Sequence, residues 1–129
     1  MSSSGKLFVG LAAVSLLIAT MLGAYASHGM QDVLPQTVDT VRTAVAFQFY
    51  HGLALLVVPL LAERIDGRMT AIAGGLFVAG TVLFSGGIYA SSLLAWDAAG
   101  GAAPLGGVAF MGGWAALVAA AVRAKRPPV

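Results

Sequence analysis

No cysteine occurs in the 129 residues, so disulfide staples, thiolate metal ligands and cysteine nucleophiles are all excluded. Charge is nearly as scarce. Asp, Glu, Lys and Arg make up 9% of the chain, against roughly 25% in an ordinary soluble domain. Hydrophobic residues make up 59%, against roughly 45–50%. A water-soluble fold of this length has no way to hide so much apolar surface. The net charge of +2 does not imply a nucleic-acid partner either, because the seven Lys and Arg are few and sit at the ends of apolar runs.

The shortage of charge is patterned. Residues 7–26, 43–62, 70–95 and 104–122 contain no Asp, Glu, Lys or Arg. At 1.5 Å per residue, each stretch is long enough to cross a hydrocarbon layer of ~30 Å. The expected fold is therefore all-α: a polytopic membrane protein whose single domain, residues 1–129, is a bundle of four transmembrane helices. Its first partner is the lipid bilayer. The spans also lack the intramembrane charges on which proton relays and ion-coupled transporters generally rely.

The N-terminal stretch imitates a secretory signal, since Lys6 precedes an apolar run and Ala24-Tyr25-Ala26 resembles a cleavage site. That run exceeds the ~7–15 residues of a signal core, so it reads as the first span. Ser15, Ala19, Gly23 and Ser27 recur every four residues and predict a small-residue seam for close helix packing. Residues 27–42 predict the longest loop, with Gly29 ending the first helix and Thr37 or Thr40 capping the second. His28, at the start of this loop, reads as an interfacial histidine with no metal-ligand spacing around it.

The polar residues inside the spans carry most of the information. Gln48 and His51 interrupt the second apolar run, and lipid offers neither a hydrogen-bond partner. Ser85 and Tyr89 lie four apart in the third run and share a face. Counted inward from Thr43 and Trp96, His51 and Tyr89 both fall about 10–12 Å deep. Gln48, His51, Ser85 and Tyr89 are therefore expected to form an intramembrane polar cluster in the outer half of the bundle, with His51 as its hub, bonded to Tyr89. Trp114 reads as a packing residue near mid-membrane.

Backbone signals complete the pattern. Pro59 predicts a bend toward the end of the second span, and Gly86-Gly87 a kink in the long third one. Asp66-Gly67 marks a tight turn that makes spans two and three antiparallel neighbours. Trp96 is placed as an interfacial anchor, and Asp97 to Ala103 as a glycine-rich loop without the Lys-Ser/Thr of a phosphate-binding loop. Pro104 suits the first turn of the fourth span, and the basic tail after Val122 is too short to fold. Lys6, Arg64, Arg68, Arg123, Lys125 and Arg126 fall on one side and only Arg42 on the other. That asymmetry puts both termini in the cytoplasm.

Taken in order, Gly23-Ala-Tyr-Ala-Ser-His28-Gly-Met, Thr43-Ala44, Gln48-Phe-Tyr-His51-Gly-Leu, Phe84-Ser-Gly-Gly-Ile-Tyr89, Pro104-Leu-Gly-Gly107 and Gly113-Trp114 form a recognisable series. The chain resembles the domain of unknown function 423 family, small bacterial membrane proteins similar to vertebrate transmembrane protein 256. Ser27 and Gly52 stand where alanine is more usual in that family, Phe47 where tyrosine is common and Gly87 where serine is common. The resemblance implies a four-helix protein of the bacterial inner membrane. It implies no activity.

Three classes of function compete. The leading one is a non-enzymatic structural or accessory protein, acting through self-association or within a larger membrane complex, with no cofactor. The alternative is a small oligomeric channel or transporter whose polar path runs through Gln48, His51 and Tyr89. A haem protein using His28 and His51 as axial ligands is disfavoured, because one lies at the interface and the other well inside its span.

Overall fold

The structure is a computed structural model, and it describes residues 1–124. Residues 125–129, most of the basic tail, lie outside the described residues. Helix α1 runs Ser3–His28, α2 Pro35–Leu61 and α3 Gly67–Gly80. A five-residue π turn, Thr81–Ser85, joins α3 to α4, Gly86–Leu93. A 3₁₀ turn over Asp97–Ala102 then leads into α5, Ala103–Val122. With each irregular turn counted into its rod, these elements make four helices long and apolar enough to cross a membrane.

The helices overrun the apolar stretches at their ends. The connection expected over 27–42 shrinks to residues 29–34, because α1 continues to His28, where Gly29 caps it, and α2 already starts at Pro35. Proline suits a first helical turn, where an amide proton has no acceptor in any case. Neither Thr37 nor Thr40 acts as the cap. The N-cap is Leu34, without a side-chain bond, and Thr40 instead donates back to the Gln36 carbonyl at 2.9 Å. The glycine-rich segment after Trp96 is likewise a 3₁₀ turn, and Pro104 occupies the first turn of α5 as expected. Pro59 sits two residues before the end of α2, which confines its missing donor to the last turn.

Packing follows a seven-residue rhythm. In α1 the buried residues are Gly5, Ala12, Ala19 and Ala26, flanked by half-buried pairs at 8–9, 15–16 and 22–23. In α2 they are Val41, Gln48 and Leu55, alternating with Ala44-Val45, His51-Gly52 and Val58-Pro59. Gly106, Gly113 and Ala120 repeat the spacing in α5. This is the a/d arrangement of helices that wrap around each other with a left-handed twist. It also corrects the seam expected at Ser15, Ala19, Gly23 and Ser27. A four-residue step overshoots a full turn by about 40°, so the row drifts off the contact face, whereas a seven-residue step drifts only about 20°. Ser27 accordingly ends exposed.

The π turn interrupts the rhythm in the third rod. Thr70 and Phe77 are buried seven apart, but where the repeat would next place Phe84 the buried residue is Ser85. One extra residue in the turn advances the contact face by one position. The irregularity expected at Gly86-Gly87 thus lies immediately before that pair. It leaves the backbone at Phe84 so close to α5 that a methyl group on Gly106 would run into the Phe84 amide nitrogen.

The fullest helix pairings are α1 with α2 and α3 with α5, with α2 also packing on α3 across the short turn. Asp66 caps α3 by accepting from the Arg68 and Met69 amides at 3.0 and 3.1 Å. Its own amide reaches the Ala120 carbonyl, which ties the turn to the end of α5. One core cluster gathers Val58, Phe77 and Phe110 among others, and a second gathers Ala26, Val41 and Val45. The polar residues lie between and beside these clusters.

Candidate functional site

Gln48 is the centre of the polar arrangement. It lies thirteen residues from either end of α2 and is 4% exposed. Its Nε2 donates to the Ser15 carbonyl at 2.9 Å and to Ser15 Oγ at 3.2 Å, while its Oε1 accepts from the Tyr89 hydroxyl at 2.7 Å. The amide orientation is fixed by its neighbours, since a carbonyl can only accept and must therefore face the NH₂ group. One side chain thereby joins α1, α2 and α4. Ser85, fully buried by the extra residue of the π turn, donates to the Ala44 carbonyl one turn away along α2, at 2.8 Å.

His51 belongs to a different contact. Three residues along an α-helix amount to 300°, so His51 points about 60° away from Gln48 and faces α5. Its Nδ1 lies 2.7 Å from the Phe47 carbonyl, and its Nε2 lies 3.0 Å from the Trp114 indole nitrogen. The indole N–H only donates, so Nε2 accepts, and the ring's proton sits on Nδ1, where it reaches the Phe47 carbonyl. The imidazole also lies flat on Phe110, with ring centroids 3.6 Å apart and an interplanar angle of 9°. Phe77 packs against both His51 and Trp114, with centroids at 5.5 and 4.7 Å.

The structure thus brings Gln48, Ser85 and Tyr89 around one stretch of α2 and sets His51 apart. The hydrogen bond expected between His51 and Tyr89 is replaced by Gln48–Tyr89 on one side and His51–Trp114 on the other. The hub is Gln48 rather than His51, and it lies at the middle of α2. His28 is the exposed last residue of α1, beside the start of α2. His51 lies sixteen residues into α2, roughly 24 Å along its axis, so the two histidines do not converge.

Sequence reasoning left Ser15 in the packing seam and Trp114 in the packing of span four. Ser15 sits at the middle of α1, opposite the middle of α2, and comparison of whole-helix lengths was the signal that could have matched it to Gln48. Among the described residues, every buried side-chain nitrogen and oxygen has a partner, and no three His, Asp or Glu side chains are grouped to hold a metal ion. Chemically, these are neutral hydrogen bonds that hold helices at a fixed height and rotation.

Comparison with known proteins bears on the same segments. Residues 22–107, which contain Gln48, His51, Ser85 and Tyr89, match the family described as Protein of unknown function (DUF423). The chain belongs to this family. A similar relative is the UPF0382 membrane protein YwdK of Bacillus subtilis, 41% identical over 120 residues, covering 92% of this chain and 98% of the relative. The UPF0382 inner membrane protein YgdD of Escherichia coli is 33% identical over 119 residues, covering 92% and 91%. A Haemophilus influenzae UPF0382 membrane protein is 30% identical over 119 residues, covering 92% and 95%. No solved structure matches. This DUF423 protein is thus a multi-pass protein of the cell membrane, built from four spanning helices.

Proposed function

We propose that this DUF423 protein is a non-enzymatic structural or accessory component of the membrane, acting through self-association or within a larger membrane assembly, with both termini in the cytoplasm. The observation that carries the reading is the complete internal pairing of buried polar side chains among the described residues. A site that acts on a ligand keeps a donor or acceptor for it. Here Gln48 spends its amide on Ser15 and Tyr89, and His51 spends both ring nitrogens on Phe47 and Trp114. Such bonds set helix register. Among the described residues the buried polar ones are Gln48, His51, Thr70 and Ser85, with no Asp, Glu, Lys or Arg among them. Support for the orientation is the sequence count of six Lys and Arg against one.

The test has two arms on the full chain. Purification from native membranes in mild detergent is expected to return the protein as a multimer or with reproducible stoichiometric partners. Reconstituted vesicles are expected to show no added flux of protons, ions or small solutes. A lone monomer contradicts the accessory role, and specific flux transfers the assignment to a channel through Gln48, His51 and Tyr89.

A further inference from the structure

We propose that the cavity between the α2–α3 turn and the end of α5 binds the headgroup of phosphatidylethanolamine. This goes beyond the register role, because it concerns charges that the buried polar contacts do not use. Glu63, Arg64, Ile65, Asp66 and Gly67 from the turn and Arg123 after α5 surround about 440 Å³. Leu61 ends α2, Gly67 opens α3 and Val122 ends α5, so the cavity sits at one end of three spanning rods. A rod of 27 residues is about 40 Å long, and a bilayer with its headgroup layers is ~40–45 Å thick. The rod ends therefore reach the level of the lipid phosphates. Val122, 80% exposed, immediately precedes Arg123, so apolar surface for the lipid chains begins beside the cavity.

The turn is held in place before any lipid binds. The Arg64 and Ile65 amides both donate to the Leu61 carbonyl at 2.9 Å, and the Asp66 amide reaches the Ala120 carbonyl at 3.4 Å. Asp66 Oδ1 accepts from the Arg68 and Met69 amides, which leaves Oδ2 outside the cap. Among the described residues, the hydrogen bonds of this turn run to backbone carbonyls and to Asp66 Oδ1, so the side chains of Glu63, Arg64 and Arg123 keep their donors and acceptors. Buried Gln48 and His51 do not.

Charge balance selects the headgroup. Two carboxylates and two guanidiniums line the same cavity, which therefore carries no net charge. The phosphate of any phospholipid suits the arginines, whose planar forks match its oxygens. The carboxylates then need a cation. Phosphatidylglycerol supplies none and sets its phosphate beside two like charges, and choline supplies a charge without an N–H. The primary ammonium of ethanolamine brings the charge and three donors, as a lysine ammonium does. Lys6 and Arg68, which do not line the cavity, attract anionic lipid to this end only in a general way.

The experiment is native mass spectrometry of the full chain, released from detergent holding equimolar phosphatidylethanolamine, phosphatidylcholine and phosphatidylglycerol with identical acyl chains. The ethanolamine lipid is expected to form the main one-lipid adduct, at least fivefold above either competitor. Glu63→Gln is expected to bring it down to the phosphatidylcholine level, and Arg64→Gln combined with Arg123→Gln to lower it at least fivefold. All three residues are exposed, and either single arginine substitution serves should the double variant fail to fold. Arg42→Gln, which removes an exposed cation near the other end of α2, is expected to change nothing. Equal adducts of the three lipids, or a preference for phosphatidylglycerol, overturn the proposal. So does an ethanolamine preference that survives these substitutions, one that is lost with Lys125→Gln and Arg126→Gln instead, or one abolished by inorganic phosphate at the lipid's concentration, which makes the ligand the free anion.

Discussion

Replacing Gln48 with leucine removes three hydrogen bonds and keeps the apolar bulk, so it isolates the polar contribution of the hub. Interhelical hydrogen bonds in membranes average about 0.6 kcal/mol and reach about 1.7, so three give a loss of roughly 2 kcal/mol. Stranding the Tyr89 hydroxyl and Ser15 acts in the same direction. The decisive form of the experiment is a double-mutant cycle between Gln48→Leu and Tyr89→Phe, followed by unfolding in mixed detergent. The 2.7 Å contact predicts a coupling of about 0.6–1.7 kcal/mol. The parallel cycle between His51→Leu and Tyr89→Phe is predicted to be additive, because His51 bonds to Phe47 and Trp114 instead. Additivity at Gln48–Tyr89, or equal coupling at His51–Tyr89, would refute the assignment of Gln48 as the hub.

Other perturbations probe separate parts of the fold. Gly106→Ala presses a methyl group against the Phe84 backbone and is expected to destabilise by about 1–3 kcal/mol. Gly107→Ala, which meets nothing within 4 Å, should change stability by less than about 0.5 kcal/mol in the same unfolding assay. Ala95 is exposed with φ of 55°, a left-handed conformation that glycine adopts freely, so Ala95→Gly should raise stability by up to about 1 kcal/mol. In a Trp96→Phe background, His51→Leu should alter the emission of Trp114, whose indole loses its acceptor. Nitrogen NMR of labelled His51 should show a protonated Nδ1 and an unprotonated Nε2.

Helix number, helix type and membrane placement were legible because they depend on summed hydropathy, which averages over many residues. Side-chain partners were less so, because they depend on rotation about each helix axis and on true helix ends. The depth count for Gln48 and His51 began at Thr43, yet α2 begins eight residues earlier at Pro35, since its first two turns carry Asp39 and Arg42 and escape an apolar criterion. That moved Gln48 to mid-helix and opposite Ser15. The 60° between Gln48 and His51 then decided which neighbour each one met. The extra residue at Thr81–Ser85 was legible only as an irregularity expected at the adjoining Gly86-Gly87, because a π turn packed against α5 leaves no periodic mark in the sequence.

The most direct measurement of the arrangement uses the chain's lack of cysteine. Single cysteines at Asp32 and Asp66, in the first two connections, and at Gly100, in the 3₁₀ turn that opens the fourth rod, are treated on intact cells with a membrane-impermeant thiol reagent. Four crossings with both termini cytoplasmic predict labelling at Asp32 and Gly100 and protection at Asp66 until the cells are permeabilised. Labelling at Asp66 with protection at the other two positions contradicts the orientation. Equal labelling at neighbouring connections contradicts the four crossings themselves.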